Sequence, residues 1–233
     1  MPTGFGRLLS QEASVTLAFD CYFSFRSPYS YLAVPQITQA LERYDLAVRM
    51  RIVYPIAVRI PGFFKRVDPL WPPYLMRDTH RIAEMLGIPY RWPRPDPIVM
   101  DLAKGEVAAE QPYIHRVSRL GVLAAEAGRG FDFVRQVSRL IWSGETDNWH
   151  EDRHLAPAVA AAGLELTALD RQVEAASDRL AGVLEENAQA QRAAGHWGVP
   201  LFVFDGEPFF GQDRIEHLLW RMGRRGLSLR QSA

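Results

Sequence analysis

Ser27-Pro28-Tyr29-Ser30 sets two hydroxyls three residues apart, just after an apolar run ending at Phe25 and at the head of an amphipathic segment, Tyr31 to Leu41. At a strand-to-helix turn, this is the spacing at which paired cysteines run dithiol–disulfide chemistry. Such a turn aims backbone N–H groups and the positive end of the helix dipole at the side chain of its first residue, which favours an anion such as a thiolate. Hydroxyls cannot cycle between thiol and disulfide, but they can hold and activate a thiolate belonging to another molecule. A nucleophilic sulfur acting here therefore arrives with a cofactor. Ser27 is also suited to cap the helix, with Pro28 at its first position, and one side chain can serve both roles. Ser30 reads as a structural hydroxyl.

Cys21 is the single cysteine, so no intramolecular disulfide can form. It lies within the strand-like run and reads as a small buried hydrophobe rather than a reactive thiol. His150-Glu151-Asp152-Arg153-His154 matches the His-Glu-x-x-His pattern, which on a continuous helix places two imidazoles on one face for zinc. Its context argues against a metal site. Asp147-Asn148 are loop formers just ahead, Pro157 follows the second histidine by three residues, and no third ligand stands at a recognisable spacing.

The elements that must position the Ser27 turn can be read around it. Val15 to Phe25 is rich in β-branched and aromatic residues, and Ala47 to Tyr54 is a second strand candidate ending at Pro55. With one helix between them, the opening reads as a right-handed β-α-β unit. Near the other end, Pro200 to Phe204 and Glu207 to Phe210 flank Asp205-Gly206, a strong hairpin signal, and a final helix runs from Gln212 to Met222. Between about Pro69 and Glu186 there is no strand alternation. Helical patterns occupy Leu75 to Leu86, Ile114 to Ala127, Phe131 to Trp142, His154 to Ala162 and Leu169 to Ala190, and the proline-dense Arg91 to Pro97 reads as an ordered loop.

With 233 residues and 48% hydrophobic content, the chain can bury one large core, or one domain with another inserted. Lys+Arg and Asp+Glu both number 27, without basic runs, so nothing points to nucleic acid. No apolar run approaches a bilayer span, and Met1 to Ser14 lacks the basic start and long apolar stretch of a signal peptide. The expectation is a soluble cytoplasmic protein with no membrane or nucleic-acid partner.

The order β-α-β, helical insertion, β-β-α is that of the thioredoxin-like fold as elaborated in DsbA, and three motifs narrow the likeness. Phe25-Arg26-Ser27-Pro28-Tyr29-Ser30-Tyr31-Leu32, Trp197-Gly198-Val199-Pro200 and Phe210-Gly211-Gln212-Asp213-Arg214 resemble elements of the 2-hydroxychromene-2-carboxylate isomerase family, which is close to the kappa-class glutathione transferases. The resemblance implies an α/β, DsbA-like, thioredoxin-like fold with residues 15–60 and 187–225 forming the discontinuous thioredoxin-like domain and residues 61–186 an inserted all-helical domain. It also implies glutathione as cofactor, a small-molecule substrate and a homodimer. Ser27 maps onto the serine that binds the glutathione sulfur, and Val199-Pro200 onto the cis-proline element whose backbone pairs with the cysteinyl portion. Gln212 and Asp213 map onto the contact with the γ-glutamyl end. The implied reaction is a glutathione-dependent isomerisation of an unsaturated aromatic-derived acid by reversible thiol addition.

One stretch departs from the family pattern. After the second strand the family carries an Asn-basic-Pro-Pro segment and a later lysine, whereas here Ile60 to Pro73 is shorter and has no asparagine. Arg59, Lys65 or Arg66 could supply a cation for a carboxylate there, and Trp71 and Tyr74 a flat wall for an aromatic ring. Tyr29, Arg59, Trp71 and Tyr74 are thus the candidate substrate contacts. Two alternatives stay open: a kappa-like glutathione transferase, in which the thiol adduct is the product, and a thioredoxin-fold binding protein without chemistry.

Overall fold

The computed structural model describes residues 16–101 and 104–231; Met1 to Ser14 and the first residue of the expected opening strand, Val15, lie outside them. A four-stranded sheet is built from β1 (Leu17–Phe23), β2 (Leu46–Ile52), β5 (Leu201–Phe204) and β6 (Glu207–Phe210), in the order β2-β1-β5-β6. β1 and β2 are parallel, in register from Leu17 opposite Leu46 to Phe23 opposite Ile52, and α1 (Pro28–Arg43) makes the crossover between them. β5 runs antiparallel to both β1 and β6. The turn between β5 and β6 holds Asp205 at φ 52° and Gly206 at φ 78°. Two positive φ values in a two-residue loop match the twist of the flanking strands, which is why Asp-Gly marked this hairpin.

Alternation along β1 divides the core. Phe19, Cys21 and Phe23 enter the main hydrophobic cluster with Leu32 and Ile37 of α1, while Tyr22 joins a smaller cluster with Val53, Ala188 and Leu201. Between β2 and β5 come the short helices α2 (Ile56–Arg59) and α3 (Phe63–Arg66), then α4 (Trp71–Leu86), α5 (Pro112–Glu126), α6 (Gly130–Trp142), α7 (Asp152–Ala161), α8 (Leu166–Ala175) and α9 (Ser177–Ala193). A two-residue ribbon, β3 (Met100–Asp101) paired with β4 (Glu106–Val107), interrupts this helical stretch, so it is not purely helical as expected. α5 presses close to the sheet at Gly121, where an added methyl would stand 2.9 Å from the Phe25 ring and 3.2 Å from Ile52.

Two further expectations are corrected. Leu169 to Ala190, read as one helix, is two, broken where Ala176 adopts φ −129° and ψ 26°. The halves pack differently, α8 on α5 and α7, α9 on α5 and β2, and no straight helix serves both surfaces. The last helix, α10 (Ile215–Gly223), begins three residues late, because Gln212–Arg214 forms a 3₁₀ turn. Arg91 to Pro97 is an ordered loop, as its prolines require. Asn148 donates its N–H to the Arg94 carbonyl at 2.7 Å, and Trp149 Nε1 donates to the Pro95 carbonyl at 2.9 Å.

Candidate functional site

The Ser27 turn is clamped from behind before it reaches the helix. Phe25 is fully buried, and its carbonyl accepts a hydrogen bond from Trp142 Nε1 at 2.8 Å. Arg26 then forms a two-pronged pair with Asp96, Nε to Oδ1 at 3.1 Å and the terminal nitrogen to Oδ2 at 3.0 Å, and its guanidinium stacks on Phe64 and Trp92. Asp96 is itself fixed by Trp92 Nε1 and the Ile98 N–H. Such a pair, with side chains 12% and 19% exposed, orients the backbone that follows.

Ser27 is the N-cap of α1, at φ −96° and ψ 115°, with its Oγ accepting from the Ser30 N–H at 3.2 Å. The capping reading therefore holds. The same Oγ donates a long bond of 3.3 Å to the Val199 carbonyl, 172 residues away. That bond sets the serine at the helix start face to face with the backbone ahead of Pro200, and Val199-Pro200 is a cis peptide. Ser30 Oγ is fully buried, finds no partner and does not face the cleft, in keeping with a structural role.

The loop carrying Val199 is held by a network that sequence reasoning did not find. Gln191 of α9, fully buried, donates to the Gly198 carbonyl at 2.6 Å and accepts from Arg59 at 3.0 Å. Arg59 also donates to the Trp197 carbonyl at 3.0 Å and the Tyr54 carbonyl at 2.6 Å. A glutamine on a helix reads as surface, so only its burial reveals this role. Burial, reinforced by the charge of Arg192, pulls the Arg59 pKa down to about 10.

A cleft of about 880 Å³ opens in front of Ser27. One half is polar: Ser27, Val199, Gln212, Asp213 and Arg214. Gln212 is nearly buried, its Oε1 accepting from Gln36 at 2.8 Å, and Asp213 pairs with Arg214 at 2.6 Å. The other half is aromatic and apolar. Trp71 and Tyr74 are substantially exposed there, and Phe63 packs edge-on to both Trp71 and Trp197. Tyr29 crosses towards this half and donates to Asp78 at 2.8 Å; burial, and then that carboxylate, push its phenol pKa up. Tyr74 reaches the same carboxylate at 3.4 Å.

Of the nine residues named as site candidates, eight line this cleft, and the ninth, Pro200, directly follows the lining residue Val199. Lys65 and Arg66 do not line it: Lys65 pairs with Glu106, and Arg66 donates to the Pro61 carbonyl. Arg26, Asp96, Gln191, Phe63 and Asp78 are contributors that the sequence did not disclose. Cys21 is buried within β1, with its thiol pKa pushed up by burial and by neighbouring Asp20. His150 precedes α7, its ring tilted at 47° against Tyr113 with 4.4 Å between centroids, so it shares no continuous helix with His154. Among the described residues no cluster of three metal-ligating side chains forms, and no helix is long and apolar enough to cross a membrane.

A mixed sheet with this strand order, a helix starting at the redox-type turn and a facing cis-proline define the thioredoxin-like class. The chain belongs to the DSBA-like thioredoxin domain family, whose pattern it matches over residues 18–223. It is similar to the 2-hydroxychromene-2-carboxylate isomerase of Pseudomonas putida, with 25% identity over 214 residues covering 88% of this chain and 94% of that protein. A solved structure of 2-hydroxychromene-2-carboxylate isomerase superimposes with a TM-score of 0.65 at 22% identity, covering 89% of this chain and 95% of the other. The cytosolic disulfide reductase DsbM from Pseudomonas aeruginosa, solved with GSH, superimposes with a TM-score of 0.55 at 20% identity, covering 90% and 100%. At these identities the structural likeness speaks for the fold.

Proposed function

We propose that the Ser27 cleft binds glutathione and that the protein is a glutathione-dependent isomerase of the 2-hydroxychromene-2-carboxylate type, acting on an unsaturated aromatic-derived acid. The observation that carries this reading is the pairing of Ser27 Oγ with the Val199 carbonyl, at a helix N-terminus, in a cleft with no cysteine of its own. The residues present fit the tripeptide. Val199 offers backbone groups to an extended peptide, and Asp213 at the polar end offers a carboxylate to an ammonium group. When bound, the thiol supplies a nucleophilic sulfur that adds reversibly to a conjugated double bond, makes it rotatable, and leaves unconsumed.

The chain's own residues set the conditions for that sulfur. The Ser27 hydroxyl has one proton, now spent on a 3.3 Å bond to Val199. Swung towards a thiolate it makes a charge-assisted bond, the stronger option, and frees the Val199 carbonyl for an incoming N–H. Its acceptor role towards the Ser30 N–H is kept throughout. The α1 dipole adds to the same stabilisation. Trp71, Tyr74 and Phe63 offer flat faces to an aromatic electrophile, with the Tyr29–Asp78 pair among them.

The test is calorimetric titration with glutathione, followed by turnover of cis/trans-isomerisable aryl acids with glutathione counted before and after. Saturable binding, product formation and full recovery of glutathione are expected. Stoichiometric loss of glutathione would make the protein a transferase instead, and no binding would remove the cofactor from the account.

A further inference from the structure

The backbone that meets Ser27 runs through Gly198, where two rings leave no room for a side chain. A carbon added to Gly198 would run into the Phe210 ring and stand 2.9 Å from His196 Cε1. Glycine leaves the peptide planes on either side of it free to turn, so bonds to neighbours have to set their orientation. Two of those bonds hold carbonyls: Gln191 donates to that of Gly198 and Arg59 to that of Trp197. The third holds an N–H. Gly198 is buried, and its N–H donates to His196 Nδ1 at 2.9 Å.

His196 is itself fixed in place. Its ring stacks on Phe210, with 3.8 Å between centroids and 25° between planes, and on Trp197 at 5.4 Å and 14°. Nδ1 accepts only when it carries no proton, so the bond selects the neutral ring with its hydrogen on Nε2. Burial pulls the His196 pKa below its ordinary value, which keeps the ring neutral at pH 7. Trp197, Gly198, Val199 and Phe210 line the Ser27 cleft and His196 does not, so what His196 contributes there passes through the backbone it holds. A side chain accepting from the N–H two residues on is the pattern by which asparagine and aspartate close a turn.

We propose that His196 is a positioning residue for the Ser27 cleft: its neutral imidazole fixes the Gly198 amide, and with it the Val199 backbone along which an extended peptide thiol pairs. The choice of ligand rests on the glutathione reading. The bond from Gly198 to His196 does not, and it is measured separately.

Two substitutions separate the hydrogen bond from the stack. His196→Asn supplies an oxygen that can accept from the Gly198 N–H but removes the ring, whereas His196→Phe keeps a ring and has no acceptor. Glutathione is titrated by calorimetry into the full chain and into each variant at neutral pH, with folding checked by urea denaturation. Binding about tenfold weaker is expected in His196→Phe, and affinity close to that of the unsubstituted chain in His196→Asn. The reverse order, which a packing role alone would give, or equal affinity in all three, would overturn the proposal. Nitrogen NMR of the free, unsubstituted chain needs neither variant nor ligand and decides the matter if a variant does not fold: a hydrogen on Nε2, none on Nδ1 and a slowly exchanging Gly198 amide are expected, and a hydrogen on Nδ1 would overturn the proposal. If glutathione fails to bind the unsubstituted chain, the thiol reading falls, and the same spectrum decides whether His196 holds the loop.

Discussion

Replacing Ser27 by alanine isolates the role of one proton. Among the described residues the hydroxyl bonds two backbone groups, the Ser30 N–H and the Val199 carbonyl, and otherwise faces the cleft. A hydrogen bond to a charged group is worth about 1.5–3 kcal/mol. At about 1.36 kcal/mol per pH unit, its loss raises the pKa of a bound thiol by about 1–2 units. The proposed role of Ser27 is to favour the thiolate, so the affinity it contributes is complete above the free-thiol pKa and is lost as pH falls to the bound-thiol pKa. In the alanine variant the whole profile moves to higher pH. Thiolate absorbance of the glutathione complex, followed against pH, reads the shift directly. Loss of the cap also costs about 1 kcal/mol of folding stability, which urea denaturation measures separately. Ser30→Ala serves as the control: that hydroxyl is buried, unpartnered and off the cleft, so its removal leaves the thiol profile in place. A bound-thiol pKa unchanged in Ser27→Ala would refute the assignment.

Cys21 is expected to be inert towards a soluble disulfide reagent in the native protein and to titrate as one thiol per chain only on unfolding, since burial both shields it and opposes its ionisation; prompt native reaction would contradict this placement. Gly121→Ala drives a methyl to 2.9 Å from Phe25 and 3.2 Å from Ile52, so a loss of about 1–3 kcal/mol is expected in urea denaturation, and a neutral result would mean a looser core. Alkaline stability follows from the tyrosines. Tyr29, Tyr31, Tyr54 and Tyr90 all have pKa values raised above 10 by burial, Tyr31 to about 12, so their contribution is complete below pH 10 and lost as pH rises through the raised values. Denaturation midpoints should be flat from neutrality to pH 10 and then fall; a midpoint that held to pH 12 would show the phenols to be hydrated.

Local rules carried the sequence furthest where the structure is itself local. The Asp205-Gly206 hairpin, the Ser27-Pro28 helix start and the proline-held loop at 91–97 each depend on a few consecutive residues, and each is found in place. The break at Ala176 was not legible because neither glycine nor proline marks it, and what splits the helix is packing on two different surfaces. The site divides in the same way. Ser27 and Val199 are 172 residues apart, and only the family resemblance brought them together before the fold did. Gln191 and Asp78 were invisible because a glutamine and an aspartate on helices read as solvated; their function comes from burial and from partners elsewhere in the chain.

The charges of the cleft show what it is suited to hold. Three arginines line it, and two are neutralised in place, Arg26 by Asp96 and Arg214 by Asp213. Arg59 is different, because its three hydrogen bonds go to two carbonyls and an amide oxygen, all uncharged. Its lowered pKa reflects the cost of burying that charge beside Arg192, which Glu185 offsets only in part. A guanidinium has five N–H donors, so these bonds leave some unspent. An anionic group arriving beside Trp197 would relieve that cost, which an uncharged ligand would not. Asp213 is paired with Arg214 at the polar end, so an ammonium group meets its carboxylate only by taking the place of that partner. On the proposed reading, a zwitterionic peptide laid along Val199 would bring a carboxylate to Arg59, and its sulfur need only reach Ser27. An uncharged thiol would gain nothing from Arg59, so the charge of the cleft, which no motif in the sequence displays, supports the proposed peptide thiol.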